Sequence, residues 1–593
     1  MRVENWNFLL RSAEALLCRS LLMTSIILLV SSAAVAQGNE GSVSARFGVR
    51  IPMRDGVTTV ADIWMPVVPG QYPAILTRTL YLRNGKDTAD QAQFWGTHGY
   101  AYVVQDVRGR GDSDGSFDFM QNEGKDGYDT IEWIAAQPWS DGKVGMMGLM
   151  GVVQWLAARE HPPHLACIAP ASSLGLWFDE FPYSGGGFVM GFNLDWVSFT
   201  SDRNLQKDND AHLDLDWVYK HRSLLTMDEA RGREMPLYRR FLQHDTLDDY
   251  WKRISFYPDD FRKLNIPVLD IAGWFDGTLP GAMSYWYGTS DYSPAKDQQY
   301  LLVGPWTHGG WEERKVNEMK FTPDAIYDMN KLHLAFFDRF LKGSSQKFDF
   351  PRANVYITGS NVWREFAQYP PAEGQPRKLY LHSRGSANTL IGDGSLGWNT
   401  PGQESPDHYT YNPQNPAPTK VDPLGSGSDA ASDFRAIERR DDVLVYSSEE
   451  LKQPLEVIGP VTVHLYAGSD ATDTDFIARI LDVYPDGQSL KLGSPMCCVI
   501  RARYRKGYDH TELLTPNQVE GYTINLFDIG HTFLAGHRVR IEITSSSYPW
   551  IAPNPNTGNP IATDTEWKIA HQTVYHDNKR PSYVELRVMP SAD

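Results

Sequence analysis

"GKVGMMGLMGVVQW", Gly142 to Trp155, reads as a short buried strand that turns sharply into a helix. The apolar run up to Gly148 has strand length, the segment from Gly151 has helical spacing, and the two glycines bracket a tight turn. No serine, cysteine or aspartate stands at that turn: Gly148, Leu149, Met150 and Gly151 are all that it contains.

Outward from this stretch the same alternation repeats. "VTTVADIWMP", "YPAILTRTLY", "AYVVQDVRG" and "LACIAPASS" have the length and β-branched content of strands, while "TADQAQFWGTHG" and "DGYDTIEWIAAQPW" between them have helical spacing. Short apolar strands separated by helices imply an α/β domain with a mostly parallel sheet covered on both faces. This first part is expected over residues 45–175. From 176 to 261 the strand signal lapses into polar sequence rich in Trp, Asp and Arg, which suggests an inserted helical cap. The α/β pattern resumes over 262–345 with "IPVLDIAGWFD" and "QQYLLVGPWTHGG", and ends on the amphipathic segment Ala325 to Gly343. After Pro351 the grammar changes to short alternating strands separated by Gly, Pro, Asn and Asp turns, so 350–593 is expected to be an all-β jelly roll.

A chain of 593 residues exceeds what one core supports, and 41% apolar residues are ample for several. Residues 1–36 stand apart. Three arginines precede the apolar run "LLMTSIILLV", and small residues follow to Ala34-Val35-Ala36, the pattern of a secretory signal cleaved near Ala36. The run is far short of the roughly 20 apolar residues that span a bilayer. The mature chain is therefore expected to be secreted or periplasmic, with no membrane partner. The net charge is −17, and without the leader, which carries a net +1, it is −18. An acidic surface argues against nucleic acid or an anionic membrane as partner. Cys167 and the adjacent Cys497 and Cys498 are too few for a disulfide scaffold and are read as packing residues.

In α/β domains ligands meet the carboxyl ends of the strands. Asp276 ends "VLDIAGWFD" and His308 ends "LLVGPWTHGG" thirty-two residues later. A carboxylate on one imidazole nitrogen lets the other take a proton from a nucleophile. Tyr81, just past "AILTRTL", stands where a phenol O–H can support a developing oxyanion. The adjacent carboxylates Asp179 and Glu180 open the cap, and a partly buried acidic pair attracts a cation. Asp112 and Asp114 in "GRGDSDGSF" lack the later ligands of a calcium loop, so no metal is assigned; no dinucleotide, phosphate-loop or zinc motif occurs, and no cofactor is expected.

The stretches "MRDGVTTVADIWMP", "RTLYLR", "QDVRGRGDSDGSF", "DGYDTIEWIAAQPWSDGKVGMMG", "GWFDG", "GPWTHG" and "HRVRIEITSSSYPW" resemble, in order, the cocaine esterase, α-amino acid ester hydrolase and X-Pro dipeptidyl-peptidase group of serine hydrolases. The resemblance implies an α/β-hydrolase domain with a helical cap and a C-terminal galactose-binding-like jelly roll. It implies Asp276 as triad acid, His308 as triad base, Tyr81 as oxyanion tyrosine, and a small-molecule or peptide acyl substrate. The departure is at the turn. The group reads G-x-S-Y-x-G-x-x-Q there, and Gly148-Leu149-Met150-Gly151-Val152-Val153-Gln154 fits only with Ser-Tyr omitted. Losing two residues would rotate the incoming helix by roughly 200° unless the turn absorbs it. The nucleophile elbow is therefore degenerate. The chain is expected to hydrolyse esters and amides poorly, and the alternative is a non-catalytic binding protein that keeps the substrate pocket.

Overall fold

The computed structural model describes residues 42–206, 214–345, 347–420, 429–495 and 498–590. The leader expected over 1–36 and Cys497 lie outside them. No helix among the described residues is long and apolar enough to cross a membrane.

The first half is built on strands β1 (Val43–Pro52), β2 (Thr58–Pro66), β3 (Tyr72–Thr79), β4 (Ala101–Asp106), β5 (Ser140–Gly148), β6 (Leu165–Pro170), β7 (Val268–Gly273), β8 (Gln299–Gly304), β9 (Ala353–Ile357) and β10 (Val362–Phe366). They form one sheet in the order β1-β2-β4-β3-β5-β6-β7-β8-β9-β10. From β4 to β9 neighbouring strands are parallel; β1, β2 and β10 pair antiparallel at the two edges. Strand β4 is buried at every position, as expected of a central strand covered on both faces. The covering helices are α1 (Thr88–Thr97), α2 (Glu123–Ala135), α3 (Gly151–Arg159), then, after a cap region, α9 (Leu279–Tyr292) and α10 (Met329–Phe340). The cap carries α4 (Met190–Thr200), α5 (Leu215–His221), α6 (Pro236–Gln243), α7 (Asp249–Lys252) and α8 (Pro258–Lys263). Phe119, Phe181, Phe241 and Trp251 pack edge-on or tilted beneath them, with centroids 5.2 to 6.3 Å apart.

The second half is all-β. Strands β11 (Gln375–His382), β12 (Ser395–Gly397), β13 (Asp407–Tyr411), β14 (Leu444–Ser448), β15 (Leu455–Ser469), β16 (Asp475–Val483), β17 (Ser489–Lys491), β18 (Val499–Arg501), β19 (Glu520–Phe533), β20 (Arg538–Thr544), β21 (Ala570–Tyr575) and β22 (Tyr583–Val588) follow one another. They pair in the order β13-β21-β15-β22-β11-β12-β14-β20-β16-β17, with β18 on β16 and β19 on β15. Two strands that follow residue 350 join the first sheet. Strands β9 and β10 extend the first sheet, β9 pairing parallel to β8 through Leu301↔Ala353 and Val303↔Val355. Their short alternating pattern resembles that of the jelly roll, and pattern does not say which sheet a strand joins.

Candidate active site

The two halves of the "GWFDG" and "GPWTHG" pairing are held past the ends of their strands by backbone hydrogen bonds. Trp274 N donates to Gly304 O at 2.9 Å and Phe275 N to Trp306 O at 3.0 Å. The glycines are required by this closeness: a Cβ on Gly273 would lie 2.3 Å from Trp306 O, and one on Gly304 2.2 Å from the Trp306 ring. Trp306 is itself fixed, its indole N–H donating to Ala325 O at 2.8 Å. Zipped in this way, the two loops deliver Asp276 and His308 to each other.

His308 Nδ1 lies 3.2 Å from Asp276 Oδ1, the His308 side chain being 44% exposed and that of Asp276 only 1%. Asp276 Oδ1 also accepts from Thr278 N at 2.8 Å, and Oδ2 accepts from the Ser172 hydroxyl at 2.7 Å. Burial pushes this carboxyl up, but the imidazole and the two other donors outweigh it and hold Asp276 below the usual carboxylate range. Burial draws His308 down, and the charge and hydrogen bond of Asp276 outweigh that, raising the imidazole above its ordinary value. Among the described residues Nε2 of His308 makes no hydrogen bond.

The degenerate elbow leaves β5 through Gly148 at φ +122° and enters α3 at Gly151. The start of α3 is held by contacts to the neighbouring strand ends. Gly151 N donates to Ala171 O, the Gln154 amide donates to Gly148 O at 3.0 Å, and Trp155 donates to Ser173 Oγ at 3.2 Å while stacking on Tyr285 at 4.3 Å. A Cβ on Gly151 would stand 2.0 Å from Ser173 Oγ, so the start of α3 is pressed against the loop after β6. The two residues left to close the turn are hydrocarbon or thioether. Met150 packs on the main core, and Leu149, 39% exposed, reaches over Gly309: a Cβ there would meet both Leu149 Cδ atoms at 3.4 Å. Leu149 thus packs over the residue that follows His308.

Tyr81 lies two residues past β3, next to β5 in the sheet. Its hydroxyl accepts from the indole N–H of Trp196 on α4 at 2.9 Å, and its own proton has no acceptor among the described residues. Burial raises its pKa, keeping it a donor.

The structure places the remaining candidates as follows. The acidic pair does not face a ligand with two free carboxylates. Glu180 is fully buried, accepts from the backbone N–H groups of Gly175, Leu176 and Gly281, and is pushed by burial up to about 8; it ties the loop after β6 to the start of α9. Asp179 accepts from Tyr508 of the β domain at 2.5 Å and is pushed by burial up to about 6. Asp112 and Asp114 are paired with Arg83 and Arg50. Of the hydroxyls near the elbow in sequence, Ser140 begins β5 at the far end of the sheet, Ser173 is buried under Trp155, and Ser172 serves the opposite oxygen of Asp276. Sequence reading missed Trp196 and the bond from Ser172 to Asp276; Ser172 stands out in sequence only as a serine just past the strand "LACIAP", off the elbow.

Residues 55–310 match the X-Pro dipeptidyl-peptidase (S15 family), and residues 346–585 match the X-Pro dipeptidyl-peptidase C-terminal non-catalytic domain. The cocaine esterase of Rhodococcus sp. (strain MB1 Bresler) is 31% identical over 585 residues, 93% of this chain and 99% of the esterase. A putative serine esterase of Mycobacterium bovis is 24% identical over 91% of this chain and 94% of its own length. Among solved structures, an α-amino acid ester hydrolase superposes with TM-score 0.81 at 25% identity, covering 93% of this chain and 98% of the other. An aminopeptidase of a marine sediment archaeon, Thaumarchaeota archaeon, gives TM-score 0.81 at 25% identity over 92% and 96%.

Proposed function

This chain belongs to the X-Pro dipeptidyl-peptidase (S15) and cocaine esterase family of hydrolases, and from that premise we propose that it is an exported protein whose site takes an acyl ester or amide but cannot form a seryl acyl-enzyme. The observation that carries this reading is the Asp276–His308 contact beside a turn made of Leu149 and Met150. Tyr81, with an uncommitted hydroxyl proton, supplies an oxyanion donor. Carboxylate, imidazole and phenol serve one chemistry, the stabilisation of a tetrahedral carbonyl adduct, and have no comparable use without a carbonyl substrate. In serine proteases the oxyanion hole and binding alone leave about 10³ to 10⁴ of acceleration over water once a triad member is gone. Turnover by this chain is therefore far below that of its serine-bearing relatives.

Substrate binding without turnover, the reading as a non-catalytic binding protein, is favoured by one feature: Leu149 lends an apolar wall beside His308 where a nucleophile would be polar. Inserting Ser-Tyr between Leu149 and Met150 tests the proposal. The inserted pair has to bulge toward His308, because α3 is pressed against Ser173 and Ala171. The natural chain is expected to carry no fluorophosphonate adduct on a serine, and the insertion variant to be labelled on the inserted serine and to hydrolyse phenyl and amino-acid esters. A serine adduct on the natural chain would overturn the proposal.

A further inference from the structure

We propose that His308 is itself the acyl acceptor of this site, its Nε2 attacking activated esters directly in the absence of a serine. The inference rests on the acyl-site reading above. It starts from what surrounds the ring. Nδ1 is held by Asp276, so in the neutral imidazole the proton sits on Nδ1 and the lone pair on Nε2. Nε2 is unbonded among the described residues, and the side chain is 44% exposed. In a serine hydrolase that nitrogen is hydrogen-bonded to the hydroxyl it deprotonates. Here the neighbouring turn presents the methyl groups of Leu149 against Gly309.

The serine hydroxyls just past β6 are committed elsewhere, and burial keeps the Tyr81 phenol protonated. Ser172 donates to Asp276 Oδ2, on the far side of the carboxylate from the ring, and stands at φ +53°, a strained backbone that fixes it there. Ser173 is fully buried between Gly151 and the Trp155 indole. An imidazole polarised by a buried carboxylate and open to solvent is left, with a turn that carries no hydroxyl or thiol of its own.

The step balances without any further reactant. The Nε2 lone pair forms a bond to the ester carbonyl carbon, and the carbon–oxygen bond to the leaving group breaks, its electron pair departing with a phenolate. The acyl-imidazolium shares its Nδ1 proton with Asp276. Water then adds to the acyl carbon, Nε2 leaves with the bonding pair and keeps the ring neutral with its Nδ1 proton, and both protons of the water pass to solvent as the carboxylate forms. Because imidazole must expel the leaving group, the substrate class is esters of acidic alcohols, such as phenyl and nitrophenyl esters; alkyl esters and amides are excluded. Asp276 is the charged group facing the ring, and since it raises the imidazole, the rate has to climb with pH as His308 gives up its second proton.

The full-length chain incubated with p-nitrophenyl acetate, acid-quenched within the first turnovers and digested, is expected to carry one acetyl group on the peptide containing His308. A stoichiometric burst of nitrophenolate accompanies it, and His308→Gln abolishes both adduct and burst. An acetyl group on a serine or lysine peptide instead overturns the assignment. So does turnover without any adduct and with a solvent deuterium isotope effect of the kind expected when His308 acts on water as a general base. Calorimetric binding of the ketone isostere of the same ester reads the pocket independently of nucleophilicity. Binding without acylation removes the nucleophile and leaves the acyl-site reading; absence of binding removes both.

Discussion

Replacing Asp276 by Asn isolates the electrostatics on which the site depends. The carboxylate oxygen lies 3.2 Å from His308 Nδ1, and 332/(εr) gives about 5 kcal/mol at an effective dielectric of about 20. That value overstates the effect, because 44% of the His308 side chain is exposed and solvent screens the pair. Raising the effective dielectric to between about 40 and 80 leaves about 1.3 to 2.6 kcal/mol, or roughly one to two units of pKa at 1.36 kcal/mol each. Burial already draws the ring downward, so D276N is expected to place His308 below its ordinary value of about 6.5. The stability signs follow. Asp276 is lowered on folding, so its contribution is present above the unfolded carboxyl value and lost as pH falls through the folded one. His308 is raised, so its contribution is present below about 6.5 and lost as pH climbs through the folded value. The pair therefore stabilises most between about pH 4 and 6.5. The assay is a ¹H–¹⁵N titration of the imidazoles, with the His308 signal identified among 16 histidines by its loss in H308Q. A His308 pKa unchanged by D276N would refute the argument, whatever happens to catalysis.

Two further outcomes follow from packing and from a buried histidine of the β domain. Gly151→Ala puts a methyl 2.0 Å from Ser173 Oγ and 2.8 Å from Ala171 O, and is expected to cost about 1–3 kcal/mol in urea unfolding despite the better helix propensity of Ala; a neutral result would mean that α3 is not seated as described. In the β domain His576 lies between Glu404, 3.0 Å from Nδ1, and Asp407, 2.9 Å from Nε2, and these hydrogen bonds raise it against the effect of burial. His576→Gln is expected to lower the melting temperature most at pH 5 to 6 and progressively less as pH climbs above the raised value, since the imidazolium's contribution is lost there; a deficit independent of pH would refute it.

The α/β order, the helical cap and the loops that bear Asp276 and His308 were legible because each is a local signal: a period, a strand of a given length, a glycine at a turn. What closes the site is not local. Ser172 meets Asp276 across 104 residues and Glu180 meets Gly281 N across 101, and no periodicity marks such partners. The pair Asp179-Glu180 looked available because adjacent carboxylates in a polar stretch are usually solvated; only the three backbone N–H groups converging on Glu180 make it structural. Met150 and Leu149 could be read as the wrong chemistry for a nucleophile, yet that Leu149 lies over Gly309 depends on the seating of α3, which the turn residues do not encode.

The two strands at residues 353–366 have a practical bearing on anyone who wishes to separate the halves of the molecule. A cut at the change of sequence grammar near residue 350 would strip β9 and β10 from the hydrolase half, leaving the backbone edge of β8 bare beside the His308 loop. Trp363, whose indole N–H is bonded to Asp324 O at 2.8 Å and whose ring lies 5.8 Å from that of Trp306, would be lost with them. A naked inner strand is a template for aggregation, so the fragment would precipitate for reasons unrelated to its chemistry. The first sheet runs on to Phe366, so a fragment meant to keep it whole has to include every residue up to there.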